Sequence, residues 1–287
     1  METLHNNLSN TINGAIDYII LKNNNKYIIF FLDNHAPSSY CQIPSKNIDS
    51  LFEDFMNKNS IFILEEIIGY NKYINTFNNT EHLNKYLQFY NKYKSNDKII
   101  PIDIRLLFNN FDETDKFSNL DQLFDISSCS HLDIIKIKNI IDKCKNISNN
   151  FLKHFNNLKN KYIDIKTKIN NNDEYKKELI CNTNYLEYII LDYPFVDINE
   201  NICNHIDIFS SSLLELYGIA QIELSLSKYN IIYLGASHCL SMFNILEKYY
   251  GYRKVKGLKS HDLISLDRFH LNLLDSFDKS CINFIDL

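Results

Sequence analysis

Short continuous apolar runs alternate along this chain with longer stretches of helical spacing. Residues 15–21 and 26–32 are apolar, β-branched and aromatic, and the polar Lys22-Asn23-Asn24-Asn25 between them predicts a β-hairpin. Residues 60–64 form a further strand-like run that ends in Glu65-Glu66. Residues 99–104 read I-I-P-I-D-I, where Pro101 restricts the segment to an edge strand or an irregular one. Residues 231–234 and 252–255 predict two more strands. Apolar positions at i, i+3 and i+4 predict helices over 48–56, 81–93, 132–147 and 204–227. Residues 149–177 read as a long solvated helix or a hairpin, and residues 185–191 as another apolar segment. Strands interleaved with helices give an α/β class: a mixed sheet core flanked by helices. The chain reads as a single domain, 1–287, with a central helical insertion over 109–183. No period of 20 to 50 residues repeats, so a solenoid is not expected.

Three of the strands end in residues that can do chemistry. In N-I-I-Y-L-G-A-S-H, an apolar strand reaches Gly235, one of only six glycines, and then His238. A residue without Cβ suits a sharp turn there, and His238 falls at the mouth of that turn. The run F-F-L-D-N-H delivers His35 in the same way, and I-F-I-L-E-E delivers Glu65 and Glu66. Charge beside a buried strand is costly unless it is paired or used. In open α/β sheets the ligand crevice lies beyond the carboxyl ends of the strands.

Two imidazoles and a carboxylate suffice to hold a divalent metal with an open position, which would lower the pKa of a bound water towards about 7. Without metal, the same trio offers a general base, a positioning histidine and an acidic partner. Glu66, Asp103 and Arg105 support such a site or bind substrate. Arg105 either grips a substrate carboxylate in bidentate fashion or pairs with Asp103 or Glu66. Asp207, in the long helix, is either a solvated residue or one that caps or orients His238. Cys41 and Cys239 lie near the two histidines in sequence, which keeps a Cys–His nucleophile open. Phosphate-cradling glycine loops and a G-x-S-x-G elbow are absent.

Composition narrows the field only modestly. Hydrophobic residues make up 45% and charged residues 23%, as in ordinary globular chains. A net charge of −5 argues against general attraction to nucleic acid. Asn, Lys, Ile and Tyr are abundant, as AT-rich coding produces, so a single Lys or Asn carries little weight. The arginines, only Arg105, Arg253 and Arg268, carry more. Seven cysteines stand singly, without C-x-x-C. With no signal peptide and no apolar run near the roughly 20 residues that span a bilayer, a soluble cytoplasmic protein with free thiols is expected.

The block I-I-Y-L-G-A-S-H-C-L-S-M-F-N-I-L-E-K-Y-Y-G-Y-R-K-V resembles the C-terminal G-x-x-H motif of the erythromycin esterase/ChaN/Tiki-TraB superfamily. F-F-L-D-N-H and I-F-I-L-E-E stand where that family has an N-terminal G-x-x-H and a strand-ending glutamate, with Leu32 in place of the first glycine. The combination with D-I-R is also similar to uncharacterised proteins of large DNA viruses of amoebae. The resemblance implies active-site positions at His35, Glu65 and His238, and a hydrolase-like site that takes Mn²⁺ or Zn²⁺ and cleaves an ester or amide in a small molecule or peptide. It also leaves open a catalytically inactive descendant that keeps the fold as a binding or virion-associated protein, in the host cytoplasm or the virion.

Overall fold

The computed structural model describes residues 11–13, 15, 17–33, 46–68, 88–105, 118–127, 132–171, 202–257 and 281–283. Its strands are β1 (Thr11–Asn13), β2 (Asp17–Asn23), β3 (Lys26–Asp33), β4 (Lys46–Asn47), β5 (Ser60–Ile67), β6 (Ile99–Asp103), β7 (Tyr229–Gly235), β8 (Arg253–Gly257) and β9 (Cys281–Asn283). Its helices are α1 (Ile48–Met56), α2 (Ser118–Leu123), α3 (Leu132–Ile147), α4 (Asn149–Asn171), α5 (Ile202–Leu224) and α6 (Ala236–Tyr250). Six strands form one mixed sheet in the order β6-β5-β7-β3-β2-β8, and β4-β1-β9 form a small second sheet. The α/β class read from the sequence is the class observed.

The centre of the large sheet is parallel, β7 lying between β5 and β3. Strands covered on both faces must be apolar at every position, which is why Phe30 to Leu32, Phe62 to Leu64 and Ile231 to Leu234 read as unbroken runs. On one face Phe31, Phe62, Leu64, Ile231 and Tyr233 pack with Leu51, Phe52 and Phe55 of α1 and with Phe89. Phe52 meets the rings of Phe31, Phe62, Phe89 and Tyr233 edge-on, at centroid distances of 5.3 to 5.8 Å. Alternation sends Ile28, Phe30, Leu32, Ile232 and Leu234 to the other face. There α6 packs on β3 and β7.

Local chemistry sets the element ends. The β2–β3 hairpin pairs Asn23 with Lys26, and Asn24 takes the left-handed conformation (φ 51°) that asparagine tolerates. Asn23 Nδ2 donates to the Tyr250 carbonyl at 3.0 Å, and Gly251 (φ 73°) closes α6 behind it. Pro101 lies in β6, at the sheet edge where a missing N–H is harmless. Gly257 (φ 96°) is forced to be glycine, since a Cβ there would stand 2.0 Å from the Tyr18 carbonyl oxygen.

The chain divides into two compact units, one of Met1–Glu65, Lys72–Pro101 and Ser225–Leu287, the other of Glu66–Asn71 and Ile102–Leu224. In the second, α3, α4 and α5 pack on one another. The 149–177 segment, expected as a solvated helix or a hairpin, is one helix over Asn149–Asn171 whose Phe151, Phe155, Leu158 and Tyr162 form a buried stripe. Tyr162 stacks on Phe124 and Phe209, and its hydroxyl donates to Asp121 at 2.7 Å. Burial here pushes the Cys144 thiol and the Tyr217 phenol each up to about 12. The helices α2, α3 and α4 lie between residues 109 and 183, and α5 lies beyond them in sequence. The apolar segment 185–191 lies outside the described residues. Among the described residues no helix is long and apolar enough to cross a membrane.

Candidate functional site

Register brings the strand ends level. Leu32 and Asp33 of β3 stand beside Leu234 and Gly235 of β7, and Leu64 of β5 stands beside Tyr233. The residues that follow these apolar runs therefore reach one end of the sheet together. The chain passes from β7 into α6 without a loop, Gly235 serving as the residue before the first helical turn. That junction places His238 in the first turn of α6, 8% exposed.

Glu65 reaches this junction from β5. Its Oε2 accepts the Gly235 N–H at 2.7 Å, and its Oε1 lies 3.7 Å from His238 Nε2. The side chains are 19% and 10% exposed, so the pair is mostly withdrawn from water. A carboxylate here satisfies a backbone donor at the start of the helix and sits at the favourable end of the helix dipole. The distance to His238 exceeds that of a direct hydrogen bond, so the two groups face one another across a short gap.

The conformation of Gly235 corrects one expectation. Its backbone (φ −50°, ψ 141°) is open to any residue, not the strained turn that glycine scarcity suggested. A Cβ would lie 3.4 Å from Glu65 Oε2 and 3.8 Å from His238 Cδ2, which is ordinary contact. What the site requires of this residue is its N–H.

Two neighbours were not singled out from the sequence. Asp33, at the end of β3, is 4% exposed and shares a hydrogen bond with the Tyr233 hydroxyl. Burial drives the Tyr233 phenol well above its ordinary pKa, and the charge and hydrogen bond of Asp33, then Cys239 and Glu65, push the same way. The signal for Asp33 was present: it is the first charge after the apolar run of β3. Nothing distinguishes Tyr233 from a packing aromatic until the register is known. The Cys239 thiol is fully buried and donates to the Leu234 and Phe31 carbonyls at 3.4 and 3.6 Å, so it is turned into the sheet.

Of the other candidates, His35 and Cys41 lie outside the described residues. Glu66 follows Glu65 in β5 and is half-buried. Asp103 and Arg105 form a fork-to-fork pair: Nε donates to Oδ1 at 2.8 Å and Nη2 to Oδ2 at 2.7 Å. The Arg105 backbone N–H adds a third bond to Oδ1 at 3.1 Å. The pairing weighed from the sequence is thus present, with side chains 14% and 4% exposed. Asp207 lies within α5, its side chain outside the described part.

The donor set suits a divalent metal in kind, one carboxylate oxygen and one imidazole nitrogen. Two ligands of a single tetrahedral zinc would stand about 3.4 Å apart, close to the separation of Glu65 Oε1 and His238 Nε2. Among the described residues no group of three His, Cys, Asp or Glu side chains converges on one point. A third protein ligand would have to come from elsewhere, His35 being the candidate. Comparison with protein-family models, curated proteins and solved structures finds no match to this chain.

Proposed function

We propose that this chain is a hydrolase-like α/β protein that cleaves an ester or amide at the carboxyl ends of β3, β5 and β7. The observation that carries the reading is the convergence of Glu65 and His238, two residues 173 positions apart, at 3.7 Å in a mostly buried setting. His238 Nε2 would take or give the proton at the reacting oxygen or nitrogen, and Glu65 Oε1 would orient the ring and offset its charge. Gly235 N–H holds the other carboxylate oxygen, so Glu65 is fixed before substrate arrives. If a divalent ion, Mn²⁺ or Zn²⁺, is used, Glu65 and His238 would hold it together with His35, and it would supply an activated water. The likeness of L-G-A-S-H, F-F-L-D-N-H and I-F-I-L-E-E to the esterase-like superfamily supports the same three positions.

The test is a screen of ester and peptide substrates with the full chain, with and without added Mn²⁺ or Zn²⁺, followed by His238→Ala. Loss of at least about a hundredfold in turnover is expected for removal of an acid–base or ligand residue. Wild-type turnover in that variant overturns the reading. A second reading, a non-catalytic binding or virion-associated protein, draws on the engagement of Glu65 within the fold, where one oxygen already serves Gly235. It predicts no turnover in the screen, no stoichiometric metal, and a Glu65 whose replacement changes stability alone.

A further inference from the structure

At the opposite end of the central strands, the sheet carries lysines that lie over aromatic rings and meet no carboxylate among the described residues. Tyr27 and Tyr229 are register partners at the start of β3 and β7, and their rings stack at 5.7 Å. Phe55 of α1 meets Tyr229 edge-on at 5.8 Å. Over this array lie Lys22, 5.1 Å from the Tyr27 centroid, and Lys228, 5.0 Å from Tyr229 and 6.0 Å from Tyr27. Lys58 lies 4.4 Å from Phe55 and 5.8 Å from Tyr229. Lys98 adds a fourth charge, its ammonium bonded to the Met56 and Lys58 carbonyls at 2.7 and 3.1 Å.

Several lysines elsewhere on the described surface are matched with acids, among them Lys92 with Glu53, Lys145 with Asp142 and Lys166 with Asp121. Lys22, Lys58, Lys98 and Lys228 close no ion pair among the described residues, although the chain as a whole is acidic. The rings hold the ammonium groups of Lys22, Lys58 and Lys228, and two carbonyls that of Lys98, without neutralising them. A partner bringing carboxylates would meet charges already ordered, which lowers the entropic cost of docking. Strand length separates this patch from the Glu65–His238 end by about 20 Å, so it is not part of that site.

We propose that this amino-terminal edge of the sheet, formed by Lys22, Lys58 and Lys228 over Tyr27, Tyr229 and Phe55 with Lys98 beside them, is a docking surface for an acidic peptide segment of a partner protein. A peptide fits better than single-stranded nucleic acid. The tyrosine faces are taken by one another and by ammonium groups, leaving no platform for bases.

Fluorescence polarisation with a labelled oligoglutamate peptide, set against an oligothymidylate of equal charge, tests this on the full chain. The wild type should bind the peptide in a salt-sensitive manner. The triple variant Lys22→Glu/Lys58→Glu/Lys228→Glu should lose roughly tenfold or more, as three exposed charge pairs imply. A control, Lys153→Glu/Lys159→Glu/Lys161→Glu on α4, should bind as the wild type does. If the glutamate variant fails to fold by circular dichroism, the corresponding triple glutamine variant should show the same ordering with a smaller loss. Absence of peptide binding in the wild type, equal loss in the control, or tighter binding of the oligothymidylate overturns the proposal. So does self-association that the triple variant abolishes, because the surface would then serve a second copy of the chain.

Discussion

Glu65 is the residue whose replacement separates anchoring from charge. Its Oε2 accepts the Gly235 N–H at 2.7 Å, a short bond with an ionised acceptor. A hydrogen bond to a charged group contributes about 1.5–3 kcal/mol, and a carboxylate at a helix start about 0.5 kcal/mol more. With the side chain 19% exposed, solvent screening trims these figures only modestly. Glu65→Ala removes the acceptor, the charge and the packing of the stem, and should cost about 2–3 kcal/mol. Glu65→Gln keeps an oxygen for Gly235 and loses only the charge, so about 1 kcal/mol is expected. The chain has no tryptophan and 19 tyrosines, so urea unfolding is best followed by circular dichroism and tyrosine fluorescence. Amide exchange at Gly235 provides the local readout. Protection should survive in the glutamine variant and fall in the alanine variant. Equal stability of both variants and the wild type, with Gly235 protection unchanged, would refute the assignment of Glu65 as the anchor of this junction.

Three further outcomes follow from other parts of the structure. Gly257→Ala should cost more than about 3 kcal/mol, because φ is 96° and the new Cβ would overlap the Tyr18 carbonyl, whereas Gly235→Ala should cost less than about 1 kcal/mol; thermal unfolding of the two ranks them. Tyr233→Phe should cost about 1–3 kcal/mol by removing a donor that serves the buried Asp33 carboxylate, and a change below about 0.3 kcal/mol in urea would count against that bond. His154 is held below its ordinary pKa of 6.5, first by burial and then by the charge of Lys153, so the folded state prefers the neutral ring. Its contribution is fully present above pH 6.5; as the pH drops below that value the unfolded chain binds the proton first and stability declines, a slope that His154→Gln should reduce.

The central strands were legible because burial on both faces leaves no polar position to confuse the reading, and Glu65 and His238 stood out as the first ionisable groups after such runs. The helix α4 was harder, since Asn and Lys on its outer face mask a stripe of four buried side chains until the i, i+4, i+7, i+11 spacing from Phe151 is counted. Glycine scarcity pointed to Gly235, yet among the described residues the glycines with positive φ are Gly251 and Gly257. A positive φ leaves no mark in the sequence. Asp33 and Tyr233 come from strands 200 residues apart in sequence and become partners only through parallel pairing of β3 with β7. The lysine–aromatic edge was hidden for another reason: lysine is too common in this chain for any one to draw notice, and the patch is assembled from a hairpin, the end of α1 and the start of β7.

A double-substitution cycle tests most directly whether Glu65 and His238 act as one site. The ester or amide turned over by the wild-type chain is assayed with Glu65→Gln, His238→Asn and the combined variant, and kcat/KM is compared. Residues serving one reaction step are strongly non-additive, so each single variant should lose at least about a hundredfold and the double variant little more than either. Wild-type kcat/KM in either single variant, or losses that simply multiply in the double, would contradict a shared Glu65–His238 site.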